Sequence, residues 1–307
     1  MLCGVAALLP CLVVGCGYLG TRFARAVVPR RAVLALLRSP GRAADLRVGG
    51  LDARCMDLDT TPPALPRDLA EAAHGAAVVY LVPPPDRGTT DPRIAAFLHA
   101  LGAATPAVFV YVSTTGVYGD TGGAPVDERS PLAPANDRSR RRLAAEHVAA
   151  SWCAARDVRC VVLRVPGIYG PHRLPLERLG RGEPALRPED AGPGNRIHVD
   201  DLVAALVAAI DRPQAHGAYN VVDGDHASTT AYLQETARAA GLPPPALVTR
   251  AEAPARIPAG MLDYLLESRR VDNRRMLDEL GVRLRYPSLG AGVHANLAEM
   301  HTEQPSS

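Results

Sequence analysis

The stretch Pro10-Cys11-Leu12-Val13-Val14-Gly15-Cys16-Gly17-Tyr18-Leu19-Gly20 decides the fold. Its apolar first half predicts a buried strand, and Gly15, Gly17 and Gly20 then follow at the G-x-G-x-x-G spacing, before a helix-like segment over 18–28. Gly15 permits a sharp turn out of the strand, Gly17 lets a pyrophosphate approach the backbone, and Gly20 lets the helix pack against the strand. The free N–H groups and the positive dipole end of the helix then face the phosphates.

Glycines also serve ordinary turns, so this spacing alone leaves dinucleotide binding open. The strand before it and the helix after it favour binding, and we predict cofactor contacts from Gly15, Cys16, Gly17, Tyr18, Leu19 and Gly20. Cys16 lies near a helix N-terminus, which can lower the pKa of a thiol. The alternative is that Cys16 is only a small residue tolerated in the loop.

Further apolar runs extend the same pattern along the chain. Strands are predicted at 32–37, 53–56, 77–82, 108–112, 160–164 and 219–222, and helices at 91–101, 137–156 and 202–210. Continuous apolar strands that alternate with helices are typical of a parallel sheet covered on both faces. The predicted fold class is therefore α/β, a doubly wound parallel sheet (Rossmann) with a smaller C-terminal α+β substrate cap.

The change in composition after Arg164 suggests the domain boundaries. We assign 10–165 to an NAD(P)-binding Rossmann domain, and we expect about 197–222 to belong to the same domain. The substrate-binding cap then takes 166–196 and 223–300, and the tail 301–307 is expected to be disordered.

Two local predictions complete this division. The Gly- and Pro-rich segment 114–134 is predicted to be a loop, and Asp200 is interpreted as a helix start. The apolar start, Met1 to Leu9, lacks a basic region, so we interpret it as a short extension rather than a signal peptide.

Composition narrows the function classes. The chain has 307 residues, a formal net charge of +2 and no lysine, so all 34 basic residues counted as Lys+Arg are arginines. The near-neutral charge argues against nucleic acid as a partner, and no mechanism here can use a lysine. Aromatic residues are only 4% of the chain, which predicts an aliphatic core.

The cysteines indicate the cellular compartment. They are Cys3, Cys11, Cys16, Cys55, Cys153 and Cys160. They form no C-x-x-C pair and have no histidine partner spacing, so we expect reduced, mostly buried thiols, no metal site and a cytoplasmic protein. No stretch is long and apolar enough to predict a membrane span.

The end of the second predicted strand indicates the cofactor. An acidic residue there binds the 2′-OH of NAD, whereas an arginine accommodates the 2′-phosphate of NADP. Here the strand ends in Arg38-Ser39, with Arg42 close behind. We predict NADP, with contacts from Arg38 and Ser39. A solvated basic turn, with NAD as the cofactor, is the less favoured alternative.

Four later segments carry a family resemblance. They are Ser113-Thr114-Thr115-Gly116-Val117-Tyr118-Gly119-Asp120, Arg164-Val165-Pro166-Gly167-Ile168-Tyr169-Gly170-Pro171, Ile197-His198-Val199-Asp200-Asp201, and the C-terminal pairs Leu280-Gly281, Tyr286-Pro287 and Ser288-Leu289. With the glycine loop they resemble, in order, the motifs of the atypical and extended short-chain dehydrogenase/reductases (SDR), the NAD-dependent epimerase/dehydratase family. The chain looks most like an uncharacterised bacterial branch of atypical members. The resemblance also implies cofactor contacts at Asp57, Leu58 and Pro166.

The resemblance implies a catalytic pair that this chain lacks. The family carries Y-x-x-x-K a few residues before a glutamate, and Glu146 sets that register here. Arg138 then falls at the tyrosine position and Arg142 at the lysine position. An arginine does not deprotonate in the working range, so Arg138 cannot replace the acid. Arg142 can still bind a ribose and supply a positive charge.

Two hydroxyl residues remain as catalytic candidates. Thr114 falls where the family's catalytic Ser/Thr lies and can orient a substrate hydroxyl or carbonyl. The alternative is a threonine at the strand end that bonds its own backbone. Tyr118 is the nearest tyrosine that could stand in as an acid, with packing as its alternative role.

The expected function is an NAD(P)-dependent oxidoreductase or epimerase that acts on a small polar carbonyl or alcohol through a non-standard acid/base. The alternative is a catalytically silent NADP-binding sensor or scaffold, monomeric or homodimeric in either case. Several arginines of the presumed cap suggest an anionic substrate, unless they only reflect base composition: Arg173, Arg178, Arg181, Arg187 and Arg196.

Overall fold

The computed structural model describes residues 8–60 and 64–303. Cys3 and most of the expected N-terminal extension lie outside the described residues, as does 304–307 at the end of the expected tail.

The secondary structure follows the alternation expected from the sequence. The strands are β1 (Cys11–Val14), β2 (Val33–Leu37), β3 (Asp52–Cys55), β4 (Ala77–Tyr80), β5 (Val108–Thr114), β6 (Pro125–Val126), β7 (Arg159–Val165), β8 (Gly167–Tyr169), β9 (Ala185–Leu186), β10 (Arg196–His198), β11 (Gly217–Asn220), β12 (Leu247–Val248) and β13 (Arg270–Val271). The helices are α1 (Tyr18–Val27), α2 (Pro40–Val48), α3 (Arg67–Ala73), α4 (Pro92–Ala100), α5 (Asp137–Ala154), α6 (Leu176–Gly180), α7 (Val199–Asp211), α8 (Thr229–Ala239), α9 (Ala253–Arg256), α10 (Ala259–Leu266), α11 (Arg274–Asp278) and α12 (Leu289–Glu303).

The main sheet has seven strands in the order β11-β7-β5-β4-β1-β2-β3, and every neighbouring pair is parallel. This confirms the doubly wound α/β prediction. The chain leaves β1 toward β2 and β3, and later returns to the other side of β1 with β4. The strand order therefore reverses beside β1, where folds of this class form a ligand crevice at the carboxyl ends of the strands.

The inner strands of the sheet pack against helices on both faces because successive side chains point in opposite directions. Cys11 and Val13 of β1 join a core with side chains of α1, α2 and α7. Leu12 and Val14 join the opposite core with α3, α4 and α5. No helix in the described part of the chain has the length and apolarity needed to cross a membrane.

The expectation of an aliphatic core is wrong for one face of the sheet. Tyr80, Phe97, Phe109 and Tyr111 are fully buried there, and the ring of Tyr80 lies 5.6 to 6.1 Å from the other three ring centroids. Four of the chain's aromatic residues thus pack together in one layer, where each ring buries a large apolar area.

The smaller elements fold onto the carboxyl end of this sheet. β8 pairs with β10, β9 with β12, and β6 with β13, so distant segments of the chain meet in three two-stranded pairs. The segment 114–134 contains a 3₁₀ turn, Thr115–Tyr118, and β6, so it is more ordered than the predicted loop. The boundary between Rossmann domain and cap remains a prediction.

Two helix ends differ from the expectations. The N-cap of α7 is His198, whose Nδ1 accepts the N–H of Asp200 at 3.1 Å. Asp200 lies in the first turn, so its interpretation as the helix start is wrong by two residues. At the other end of the chain, α12 continues through Glu303, so the expected disorder is wrong for 301–303.

A buried ion pair joins α5 to the sheet. Arg164 on β7 donates through Nη2 to Glu146 on α5 at 2.9 Å, and both side chains are 6% exposed. Ser113 on β5 donates to the other carboxylate oxygen of Glu146. Arg164 also donates to the Tyr118 hydroxyl at 3.0 Å, and that hydroxyl donates to Asn220 on β11. The charges are therefore paired and hydrogen-bonded, as burial requires.

We expect Glu146→Ala to lower the free energy of unfolding by about 3–5 kcal/mol, because Arg164 would keep a buried charge without a partner. The control is Glu71→Ala, whose ion pair with Arg67 is exposed and should contribute little. Urea unfolding of both variants tests this. Equal midpoints for Glu146→Ala and the wild type would show that the pair does not stabilise the fold.

Candidate functional site

The glycine loop follows β1 and requires two of its glycines for steric reasons. Gly15 has a φ of +97°, and a Cβ there would approach Val82 to 2.8 Å. A Cβ on Gly20 would lie 2.8 Å from the Gly15 carbonyl oxygen. A Cβ on Gly17 would meet no atom within 4 Å, so this glycine leaves open space in front of the helix. That cradle fits a pyrophosphate.

Among the residues that the structure describes, no side chain caps the N-terminus of α1. Its N-cap residue Gly17 supplies no capping group, and its first turn contains no acidic residue. The first N–H groups of a helix lack intrahelical partners and favour anions. Cys16 is buried, and burial raises the pKa of its thiol. The suggestion that the helix end lowers this pKa is therefore wrong, and Cys16 packs as a small apolar residue.

A first cavity, of about 630 Å³, runs from this loop along the carboxyl ends of β1, β2 and β3. It is lined by all but one of the residues that the sequence analysis expects to touch the cofactor: Gly15, Cys16, Gly17, Tyr18, Leu19, Gly20, Arg38, Ser39, Asp57, Leu58 and Arg142. The exception, Pro166, lines a second cavity. The fold thus brings together in the first cavity predicted residues from four separate segments.

One end of the first cavity is rich in arginine. Arg38 and Arg42 line it after β2, and the exposed Arg38 side chain lies 3.8 Å from Asp59. Asp59 accepts two hydrogen bonds from Arg93, at 2.6 and 2.7 Å, and this pairing lowers the pKa of its carboxyl group. Ser39 caps α2 by accepting the N–H of Arg42. The basic turn expected here is therefore the start of a helix.

The second cavity, of about 450 Å³, is lined by neighbouring residues of the same elements. β5 contributes Val112 to the first cavity and Thr114 to the second. α5 contributes Arg142 to the first and Arg138, one helical turn earlier, to the second. Because the same two elements line both cavities in this order, the cavities lie side by side at the carboxyl end of β5.

The two arginines at the positions of the family pair have different contacts. Arg142 donates through Nη1 to the Val112 carbonyl at 2.9 Å, which holds its guanidinium at the edge of the first cavity. Arg138 is exposed and makes no hydrogen bond or ion pair with the residues that the structure describes. Arg138 therefore presents an unpaired positive charge to the second cavity.

The two hydroxyl candidates, Thr114 and Tyr118, lie in different environments. Thr114 lines the second cavity, and its Oγ1 accepts the N–H of Gly116 at 3.1 Å, as the local alternative expected. The Thr114 hydroxyl proton still remains for a second partner. Tyr118 lines neither cavity: it is 2% exposed, and burial raises the pKa of its hydroxyl. The structure thus favours the packing role of Tyr118 over a role as acid.

Sequence reasoning missed the polar wall of the second cavity. Asn136 caps α5 and donates to Glu267 at 2.7 Å, and Glu267 also pairs with Arg269. Arg269 in turn donates to the Gly119 carbonyl at 2.7 Å. Asn136 could have been identified as the N-cap of α5, because asparagine is a common N-cap residue at the start of a helix. Nothing in the sequence near 267–269 indicates its contact with a loop some 150 positions earlier.

The cap arginines do not converge on one site. Arg178 and Arg196 donate to backbone carbonyls, and Arg181 pairs with Glu177 and Glu183. Arg173 differs, because it lines the first cavity beside the glycine loop.

Comparison with known proteins gives a family match over most of the chain. The sequence profile of the NAD dependent epimerase/dehydratase family matches residues 11–222. A conserved protein of unknown function from Silicibacter pomeroyi has 31% identical residues and a structure that superposes with a TM-score of 0.82. That alignment covers 95% of this chain and 99% of the other.

Two further proteins are similar in sequence or in fold. The 3-diazoavenalumate denitrifying reductase of a Streptomyces species is 32% identical over 146 residues, which is 46% of this chain and 48% of the reductase. The chain therefore spans about half the length of this curated relative. The human epimerase family protein SDR39U1, solved with NADPH, is 22% identical with a TM-score of 0.68 over 94% of this chain and 99% of that one, a likeness of fold alone.

We expect Gly17→Val to abolish dinucleotide binding without unfolding the protein, because its methyl groups would enter only the open space of the cradle. Gly20→Val is the matched control: its Cβ would meet the Gly15 carbonyl, so it should lower thermal stability first. Calorimetric titration with NADPH and a melting curve test both variants. Unchanged NADPH affinity in folded Gly17→Val would contradict the assignment of the loop.

Proposed function

This chain belongs to the NAD dependent epimerase/dehydratase family, and we propose that it is an NADP-dependent oxidoreductase or epimerase of the SDR type. Its substrate is a small polar, anionic carbonyl or alcohol. The observation that carries the proposal is the first cavity, where the glycine loop, the strand ends and Arg142 line one continuous space that leads to Thr114 and Arg138.

The arginines after β2 support NADP over NAD. Arg38 and Arg42 stand where an acidic residue would bind the 2′-OH of NAD. The carboxylate of Asp59 lies 3.8 Å from Arg38, and Arg93 already neutralises it through two hydrogen bonds. Positive charge therefore remains for a 2′-phosphate. The human protein of similar fold was solved with NADPH.

We expect Arg38→Asp to weaken NADPH far more than NADH. The change removes a charge-assisted partner of the 2′-phosphate, worth roughly 1.5–3 kcal/mol, and adds a repulsive charge. Fluorescence titration of both dinucleotides measures the ratio. A wild type that binds NADH as tightly as NADPH would contradict the assigned role of Arg38.

The residues between the cavities support hydride transfer at that point. A bound nicotinamide supplies the hydride. Arg142, anchored on the Val112 carbonyl, has further N–H groups for a ribose. Thr114 keeps a hydroxyl proton for a substrate oxygen, and Arg138 adds a permanent positive charge beside it. This charge favours a substrate that is anionic or becomes anionic during the reaction.

The proton for such a reaction needs another source than the family tyrosine. Neither Arg138 nor Arg142 releases a proton in the working range, and Tyr118 is buried away from both cavities. We infer that water or a group on the substrate takes this role. General acid–base catalysis contributes about 10²–10⁴ in rate, so turnover of unactivated carbonyls should be slow.

We expect the double change Arg138→Tyr with Arg142→Lys to raise turnover of simple carbonyls, while Arg138→Tyr alone does not, since no lysine then lowers the pKa of the new tyrosine. The gain should approach the factor of about 10²–10⁴ of general acid catalysis. NADPH oxidation measures it. Arg140→Tyr with Arg142→Lys is the control, because Arg140 lines neither cavity. No gain in a double variant that binds NADPH would contradict the register set by Glu146.

A silent dinucleotide-binding protein is the alternative from a different class. It is favoured by the missing tyrosine and lysine. Incubation of the wild type with NADPH and a panel of aldehydes, ketones and nucleotide sugars separates the two. Consumption of NADPH with any member supports the enzyme, and binding without consumption of any supports the sensor or scaffold.

A further inference from the structure

We propose that Arg173, which lies in the turn after β8 beside the glycine loop, is a ligand of the cofactor's pyrophosphate. This inference rests on the proposed function, because it assumes that the first cavity holds a dinucleotide. It assigns a binding role to a residue outside the glycine loop and outside the motifs that carry the family resemblance.

The position of Arg173 follows from its contact with the glycine loop. Tyr18 is the first residue of α1, directly after Gly17, and the guanidinium carbon of Arg173 lies 4.7 Å from the centroid of its ring. The Tyr18 hydroxyl donates to the Pro171 carbonyl at 2.9 Å. The turn that carries Arg173 is thus attached to the element whose N–H groups face the phosphates.

The backbone of this turn is specialised. Arg173 donates its N–H to the Gly170 carbonyl at 2.9 Å, and His172 between them has a φ of +60°, which is uncommon for a residue other than glycine. A Cβ on Gly170 would lie 2.5 Å from the Tyr18 hydroxyl. Strained backbone of this kind is concentrated at ligand-binding sites.

The charges along the cavity also favour this role. Arg38, Arg93 and Arg142 have carboxylate or carbonyl partners. Arg42 and Arg173 have no hydrogen bond or ion pair from their side chains within the described part of the chain. Arg42 lies after β2, near the expected 2′-phosphate, and Arg173 lies at the glycine loop. These two guanidinium groups therefore match the two phosphate positions of NADP, the 2′-phosphate and the pyrophosphate.

A second arginine on the same ring provides a comparison within the structure. Arg22 lies 5.6 Å from the Tyr18 centroid, but it donates to Asp200 and Glu299, each at 3.1 Å. Its charge is already neutralised by two carboxylates. Arg22 therefore stabilises the packing of α1, whereas Arg173 keeps its charge for a ligand.

The test is the dissociation constant of NADPH, NADH and ADP-ribose for the wild type and for Arg173→Gln. All three ligands share the pyrophosphate, so the variant should weaken each by a similar factor of about 10 to 100, the size of one charge-assisted hydrogen bond. Arg173→Lys should retain part of the affinity. Arg42→Gln should instead weaken NADPH alone.

Arg22→Gln is the matched control and should lower thermal stability with little change in the three dissociation constants. Unchanged affinity in Arg173→Gln would overturn the inference while leaving the proposed function intact. The same holds if Arg173→Gln weakens NADPH alone, or if Arg22→Gln weakens all three ligands equally. A wild type that binds none of them would overturn the proposed function, and this inference with it.

Discussion

The buried pair of Glu146 and Arg164 is the interaction on which the position of the site depends. It attaches α5 to β7, and through Ser113 to β5, in a place where neither charge can be solvated. Because α5 is anchored at Glu146, the residues one and two turns earlier must face the carboxyl ends of β4 and β5. Arg142 and Arg138 therefore reach the two cavities through the rigidity of the helix, and the hydrogen bond of Arg142 to the Val112 carbonyl holds its guanidinium there as well.

The same sheet geometry explains why so many separate segments form one cavity. Parallel strands place all their carboxyl ends on one edge, so the glycine loop after β1, Arg38 after β2 and Asp57 after β3 become neighbours. The turn after β8 joins them only because Tyr18 holds it there through the Pro171 carbonyl. A cofactor bound along this edge would thus contact both the sheet and the first segment of the smaller elements.

Local patterns in the sequence predict the parts of this structure that depend on local physics. The glycine spacing and the apolar runs were sufficient for the loop and for the seven strands of the main sheet, but not for the six short strands that pair outside it. The start of α2 was also readable, since Ser39 and Pro40 form a common N-cap and N1 pair. The N-cap of α7 could not be predicted in this way, because His198 is an unusual N-cap residue whose position depends on tertiary contacts. Arg269 and the burial of Tyr118 depend on contacts between distant segments, which periodicity does not report.

The predicted replacement of the family's tyrosine and lysine by Arg138 and Arg142 changes what the proposed site can do. In the family pair, as the resemblance implies, one group carries a permanent charge so that the other can exchange a proton. Here both positions carry arginine, a side chain with a permanent positive charge. Two cations four residues apart on one helix repel each other, and nothing in the described contacts of Arg138 offsets that cost. An anion bound between Arg138 and Thr114 would offset it, so binding of an anionic substrate and stabilisation of α5 become the same event.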